Sequence, residues 1–272
     1  FINKFTNKFK INHFYTFVKL DMNESLYYLI LFSVGFVASI VNTLAGGGSL
    51  LTLPVLIFLG LPSNVANGTN RILILINSIV GTAGYKSEGV STYPFNVYLG
   101  ISALFGALIG AKIAIDIKAE IFNRILSIVM IIFGLIILLS RNYEIEKITE
   151  RITGRYFWIS VVAFFFIGIY GGFINAGIGM VIVIFLNSIN RMTLIRANAT
   201  KVALISIYTL GALILFAINE KVDWVAGLWM AAGSLFGAWW SSRWSVKKGD
   251  NVIKIAMLIM VIVMSVKLWF FT

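Results

Sequence analysis

Two glycine-rich breaks and two polar clusters hold the side chains of this sequence that could do chemistry. In Asn42-Thr-Leu-Ala-Gly46-Gly47-Gly48-Ser49, three successive glycines interrupt an apolar run. Glycines there leave backbone N–H groups that a hydrocarbon environment cannot satisfy. Ser49 stands where a helix N-cap is expected, ahead of the short apolar piece Leu50 to Leu61, so amides and a positive dipole end would face a cavity. Asn175-Ala-Gly177-Ile-Gly179 repeats the break ahead of a second short piece, Met180 to Ile189. At 1.5 Å per residue neither piece spans a hydrocarbon core of about 30 Å, so both read as half-helices or re-entrant segments. The alternative is that these glycines only permit close helix packing. A glycine triplet with a partner in the other half favours a binding site, as paired interrupted helices do in transporters.

The polar clusters follow at Asn67-Gly-Thr69-Asn70-Arg71 and Asn198-Ala-Thr200-Lys201. A cation at the centre of a membrane helix costs about 2.5 to 3.5 kcal/mol, so it is usually paired or faces water. All eleven acidic residues, from Asp21 to Asp250, lie in tails, connections or span ends. The economical partner for Arg71 and Lys201 is therefore an anionic substrate, held also by Ser49, Thr69 and Thr200 hydroxyls, Asn67, Asn70 and Asn198 amides, and helix N-termini. The other reading is snorkelling, since both cations lie in the first third of their helices. With no Cys, and with the single His13 in the polar N-terminal stretch, neither a metal site, a cofactor nor enzyme chemistry is expected. Without buried carboxylates, cation export and a carboxylate-gated proton pump are disfavoured, and a retinal-type Lys201 would lack its counter-ion.

These residues need a membrane scaffold. Of 272 residues, 59% are hydrophobic and 12% charged, about half the charged share of a soluble domain, and mean hydropathy is +0.93. The net charge of +11 sits mainly between apolar runs, so a lipid bilayer and not nucleic acid is the expected partner. The runs cover about 26–45, 65–84, 92–113, 121–140, 157–175, 197–218, 223–243 and 252–271. Long uninterrupted runs and three prolines favour helices over a barrel. Residues 1–24 read as an N-terminal tail without the apolar core of a signal peptide.

A shift of 131 residues superposes Gly46 on Gly177, Asn67 on Asn198, Thr69 on Thr200 and Leu104-Phe-Gly-Ala on Leu235-Phe-Gly-Ala. The chain is thus an internal duplication: 25–140, a polar linker 141–155, and 156–272. Four spans per unit, an even number, predict parallel repeats. Lys112, Lys118 and Arg124 correspond to Arg243, Lys247, Lys248 and Lys254, which parallel repeats would gather on one cytoplasmic face, leaving both termini outside. Gly106, Gly110, Gly233 and Gly237 form a small-residue stripe for helix packing, and Trp158, Trp224, Trp244 and Trp269 fall near span ends.

Gly35-Phe-Val-Ala-Ser, Ala45-Gly-Gly-Gly-Ser, Leu53-Pro54, Gly60-Leu-Pro62 and Ala66-Asn-Gly-Thr69 resemble the TauE/SafE family of sulfite exporters, also called toluene sulfonate uptake permeases. The resemblance runs from about Gly35 to Ser140 and from Gly168 to the C-terminus. The second half departs from the pattern at Gly177-Ile-Gly179-Met and at Phe185, where the offset would place a proline. The resemblance implies an eight-span plasma-membrane protein that moves sulfite, sulfonates or related sulfur compounds. The combined expectation is an all-α polytopic protein of two parallel four-helix repeats with broken or re-entrant helices, with a homo-oligomer among its expected partners. It would transport a small anion by alternating access, through Asn42, Gly46, Gly47, Gly48, Ser49, Asn67, Thr69, Asn70, Arg71, Asn175, Gly177, Gly179, Asn198, Thr200 and Lys201. An anion channel and a non-transporting scaffold are the alternatives.

Overall fold

The computed structural model describes residues 24–139 and 149–248. These fold into helices α1 (Glu24–Ala45), α2 (Ser49–Phe58), α3 (Ser63–Ser87), α4 (Phe95–Asp116), α5 (Ala119–Leu139), α6 (Gly154–Phe173), α7 (Ile178–Ser188), α8 (Leu194–Ile218) and α9 (Trp224–Lys248). The first seven expected spans each overlap one helix over most of their length, and no strand occurs among the described residues. The eighth span, the tail before Glu24 and most of the linker lie outside them. By length and composition α1, α4, α6 and α8 could each cross a membrane. α3 and α9 have 25 residues each, but their buried polar side chains, among them Asn67, Asn70, Arg71 and Asn77 on α3 and Ser234, Ser241, Ser242 and Ser245 on α9, lower their hydropathy. Large apolar side chains such as Leu29, Phe105, Phe166, Leu228 and Phe236 face outward, as lipid contact requires, and Trp158 and Trp224 stand exposed near the starts of α6 and α9.

α1 stops because Gly46 takes a left-handed conformation (φ 81°) and returns its N–H to the Val41 and Asn42 carbonyls, a glycine C-terminus. The stop comes part-way along α3. Asn42 meets Asn77 there, ten residues before α3 ends at Ser87, or about 15 Å. α2 then turns back. Its Thr52 reaches Asn70, and the chain arrives at Ser63 to begin α3. α6 and α7 repeat this geometry: α7 ends with Asn190 bonded to the backbone of Arg151, just before the start of α6. Each pair is a re-entrant hairpin, and the two short pieces Leu50 to Leu61 and Met180 to Ile189 are its returning arms.

Close glycine contacts fix the helix directions. On α9, Gly233 and Gly237 abut the Phe32 and Phe36 carbonyls of α1, so α1 and α9 run the same way. Gly106 and Gly110 of α4 abut the Phe165 and Ile169 carbonyls of α6, again in the same direction. These approaches need glycine, as the stripe of small residues implied. α3 joins the first pair, Ile72 touching Gly227 and Gly84 touching Ser242. α8 joins the second, with Ile207 on Gly100 and Gly211 on Leu104. The two groups oppose each other. Along the α3–α8 interface Gly68 meets Phe216 whereas Gly81 meets Val202, so the helices are antiparallel.

This corrects the expected parallel relation. α3 and α8 are equivalent in the 131-residue repeat, with Ser63–Ser87 falling on Leu194–Ile218, yet they run in opposite directions. Equivalent helices oppose each other only when the relating axis is perpendicular to them, which makes the repeats inverted. The physical reason is the hairpin. α1 and α2 enter and leave at one face, which leaves three long helices, α3, α4 and α5, outside the hairpin in the first unit, an odd number. The basic residues divide accordingly: α4 and α9 end at opposite faces, so Lys112 and Lys118 do not share a side with Arg243 and Lys247. Units 25–140 and 156–272 also interlock, each three-helix group drawing helices from both.

Candidate functional site

The hairpin tips meet at the middle of the fold. Gly46 packs directly on the Gly179 backbone, which leaves no room for a Cβ on either residue. Asn175, itself left-handed (φ 53°), places its amide nitrogen 3.5 Å from the Ser49 hydroxyl. α2 opens with Gly48, and not Ser49, at the N-cap position, and no side chain caps it. Ser49 is the first helical residue, which corrects its expected role. In the second tip Gly177, left-handed at φ 71°, occupies the cap position of α7, also without a side-chain cap. The first helical bonds run from Leu50 to the Gly47 carbonyl and from Met180 to the Gly177 carbonyl. Amides of Gly47, Gly48 and Ser49, and of Ile178 and Gly179, therefore have no acceptor within their own helices. Two positive helix ends converge on one place.

Both cations are fully buried there. Arg71 donates from its two terminal nitrogens to the Gly171 and Gly172 carbonyls at 2.8 and 2.6 Å, and Asn67 donates to the Phe173 carbonyl at 2.7 Å. The guanidinium also lies over the Phe216 ring, 5.3 Å from its centre. Lys201 donates to the Asn42 carbonyl at 2.8 Å, to the Thr43 carbonyl at 3.0 Å and to the Asn198 side-chain oxygen. Each cation thus caps the C-terminal, negative end of the entering arm from the other repeat. Snorkelling is excluded by burial. The partner left open by the sequence is, in this structure, a set of backbone carbonyls at a helix end. No Asp or Glu is buried among the described residues, so two positive charges remain without a carboxylate.

The other expected residues divide into two sets. Asn42, Gly46, Gly47, Gly48, Ser49, Asn67, Asn70, Arg71, Asn175, Gly177, Gly179, Asn198 and Lys201 line or support the meeting tips. Thr69 and Thr200 instead tie helices together: Thr69 accepts from the Asp223 amide at 2.8 Å, and Thr200 bonds Thr92 at 2.9 Å. Four more residues, unremarked in the sequence reading, belong to the site. Thr52 bonds Asn70 at 2.6 Å, Asn77 bonds Asn42 at 2.6 Å, Tyr208 donates to Asn175 at 2.7 Å, and Tyr170 donates to the Ala176 carbonyl. The repeat offset carried a signal for two of them, because Asn77 and Tyr208 are equivalent positions. Three buried polar atoms on one turn of α3 have no partner: the Asn67 oxygen, the Asn70 amide nitrogen and Arg71 Nε. Among the described residues no group of His, Cys, Asp and Glu large enough to hold a metal ion comes together.

Residues 31–268 match the family described as Sulfite exporter TauE/SafE. The chain belongs to the TauE/SafE family. It is 30% identical over 256 residues to the probable membrane transporter protein YfcA of Escherichia coli (strain K12), covering 93% of each chain. A probable membrane transporter protein of Haemophilus influenzae is 27% identical over 239 residues, 88% of this chain and 93% of that one. The probable membrane transporter protein ORF9 of a Sinorhizobium species is 26% identical over 249 residues, 91% of this chain and 95% of its own. No solved structure matches. This TauE/SafE protein is accordingly a multi-pass membrane transporter.

Proposed function

We propose that the protein carries a small anion, a sulfur oxyanion or an organosulfonate, through the point where the two hairpin tips meet. The observation that carries this reading is the pair of fully buried cations, Arg71 and Lys201, beside two uncapped helix N-termini with no buried carboxylate among the described residues. Their capping bonds neutralise helix C-termini, so a positive potential remains for a ligand to complete. The family description supports sulfite or a related anion as the ligand class. Binding is tested by titrating purified protein with sulfite, sulfate, thiosulfate, taurine and chloride at matched ionic strength while following thermal unfolding. A ligand at 100 times its dissociation constant stabilises by about 2.7 kcal/mol. Selective stabilisation by a sulfur anion, lost in Arg71→Ala, is expected; a flat response across the panel would sink the reading.

The interlocking of the two sequence halves supports an alternating access in which the moving bodies are not the halves themselves. The bodies that can move are α1, α3 and α9 against α4, α6 and α8, each tied internally by glycine contacts and meeting along α3 and α8. Separation at the Gly81–Val202 end opens one face, and separation at the Gly68–Phe216 end opens the other. Arg71 and Lys201 each bridge the two bodies, so occupancy of the site and closure of the interface are coupled. Among the described residues Lys86, Arg151, Arg155, Arg191, Arg196, Arg243 and Lys247 gather at the Gly81 end, against Lys112, Lys118, Arg124 and Lys221 at the other. The positive-inside rule makes the richer face cytoplasmic, so the α1–α2 hairpin enters from outside.

A further inference from the structure

Asn67, Asn70 and Arg71 stand at i, i+3 and i+4 on α3 and so share one face of the helix. All three are fully buried, and each has one hydrogen bond too few. Asn70 accepts from Thr52, in the first turn of α2, and its amide nitrogen is left free. Arg71 uses both terminal nitrogens on the Gly171 and Gly172 carbonyls, which leaves Nε. Asn67 gives its amide to the Phe173 carbonyl and keeps an unpaired oxygen. The set is two donors and one acceptor, next to the uncapped start of α2. A buried polar atom without a partner is costly in free energy, so a set of three on one turn calls for a ligand.

The chemistry of that ligand follows from the acceptor. A fully deprotonated oxyanion such as sulfate answers the Asn70 and Arg71 donors, but it turns a negative oxygen toward the Asn67 oxygen and leaves that atom unmet. We propose that the bound substrate brings a hydrogen-bond donor of its own beside its anionic oxygens: a protonated oxyanion, or a sulfonate with a hydroxyl or ammonium group close by. The oxygens sit on Asn70, Arg71 and the α2 amides, and the donor on Asn67. This rests on the anion-transport reading and narrows its substrate class.

The test uses the full-length protein in detergent and two matched pairs of anions, 2-hydroxyethanesulfonate against propane-1-sulfonate and hydroxymethanesulfonate against ethanesulfonate. Within each pair the shape is the same and only the donor differs. The expected result is that the hydroxyl compound binds about tenfold more tightly in at least one pair, the gain of one buried hydrogen bond. In Asn67→Ala that ratio falls to one, whereas Asn70→Leu weakens both members and keeps the ratio. Equal binding within both pairs overturns the donor assignment and leaves the anion site standing, and the wild-type comparison decides this even where a variant fails to fold. A ratio retained in Asn67→Ala also overturns it. If none of the four compounds, nor sulfite or sulfate, binds at all, the anion-transport reading falls and takes this one with it.

Discussion

Lys201 of α8 donates to the carbonyl of Asn42 at the end of α1, 2.8 Å away and 159 positions earlier in the chain. The same ammonium reaches the Thr43 carbonyl and the Asn198 oxygen, so its three hydrogens meet three acceptors. A helix that stops inside a membrane protein needs such a partner, because no water is present to satisfy its last carbonyls. The Lys201→Met variant retains length and removes the charge. It is expected to lose about 1 to 3 kcal/mol of stability by removing the ammonium from the buried Thr43 carbonyl and Asn198 oxygen, while the Asn42 carbonyl keeps the Gly46 N–H, and to lose anion transport. Melting in detergent and uptake into proteoliposomes measure the two losses, and wild-type values for both would show that Lys201 holds nothing.

Much of this arrangement was legible in the residues. The Gly46-Gly47-Gly48 break marked the α1 hairpin tip, the polar clusters marked the start of α3 and α8, and the 131-residue offset paired them. What the residues could not show was direction. A hydropathy profile counts α1 as a crossing because it has a crossing's length, and only its meeting with Asn77 part-way along α3 reveals that it turns back. That single change makes an even unit odd and inverts the repeat. The partners of Arg71 and Lys201 were hidden for a related reason. Backbone carbonyls have no letter in a sequence, so cations that cap helix ends look unpaired.

The interlocked packing predicts which cross-links stop transport. The chain has no Cys, so engineered pairs report alone. Ile72→Cys with Gly227→Cys would join α3 to α9, where the Cβ atoms lie about 3.2 Å apart. Gly81→Cys with Val202→Cys would join α3 to α8 at 3.6 Å, within the usual disulfide range. Both pairs connect the two sequence halves, but the first lies within one three-helix group. Oxidation should therefore leave transport intact in the Ile72/Gly227 pair and stop it reversibly in the Gly81/Val202 pair. Inhibition by both bridges would favour halves that move as units.

The two tips are held by different chemistry, an amide network at one and tyrosines at the other. Asn77 binds Asn42 together with Ser39 and Thr43, whereas Tyr208, its equivalent, holds Asn175 at 2.7 Å. Tyr208→Phe removes one hydrogen bond with almost no change in shape. It should cost about 0.5 to 1.5 kcal/mol and raise the apparent dissociation constant for the anion, since Asn175 is freed beside Ser49. Unchanged affinity together with unchanged melting would place Tyr208 outside the site.

At the cytoplasmic face of the proposed orientation, Arg243 donates to Glu88 at 2.8 Å, with Lys247 close by. The Arg243 hydrogen bond holds the Glu88 carboxyl below its ordinary range, and Lys247 adds to this. A carboxyl depressed in the folded state contributes stability above its unfolded value and loses it as pH falls through the folded value. This tie between the end of α3 and the end of α9 is therefore present at neutral pH and lost on acidification below the ordinary carboxylate range. Glu88→Gln should melt lower than wild type at neutral pH and match it in acid. A gap that persists at low pH would point to packing and not to charge.

Charge and geometry separate at Arg71. Its fork meets the successive Gly171 and Gly172 carbonyls, which an ammonium on a flexible stem cannot hold together in the same way. Arg71→Lys keeps the charge at the meeting tips and gives up one of the two bonds, so stability should fall by about 1 kcal/mol while anion binding survives with reduced affinity. Arg71→Met removes the charge as well, and binding should vanish. The informative quantity is the difference between the two variants measured on the same anion. If Arg71→Lys loses binding as completely as Arg71→Met, the guanidinium acts through its shape, by fixing the end of α6 against α3. If Arg71→Met still binds, the positive potential at the tips comes from the helix ends and Lys201 alone.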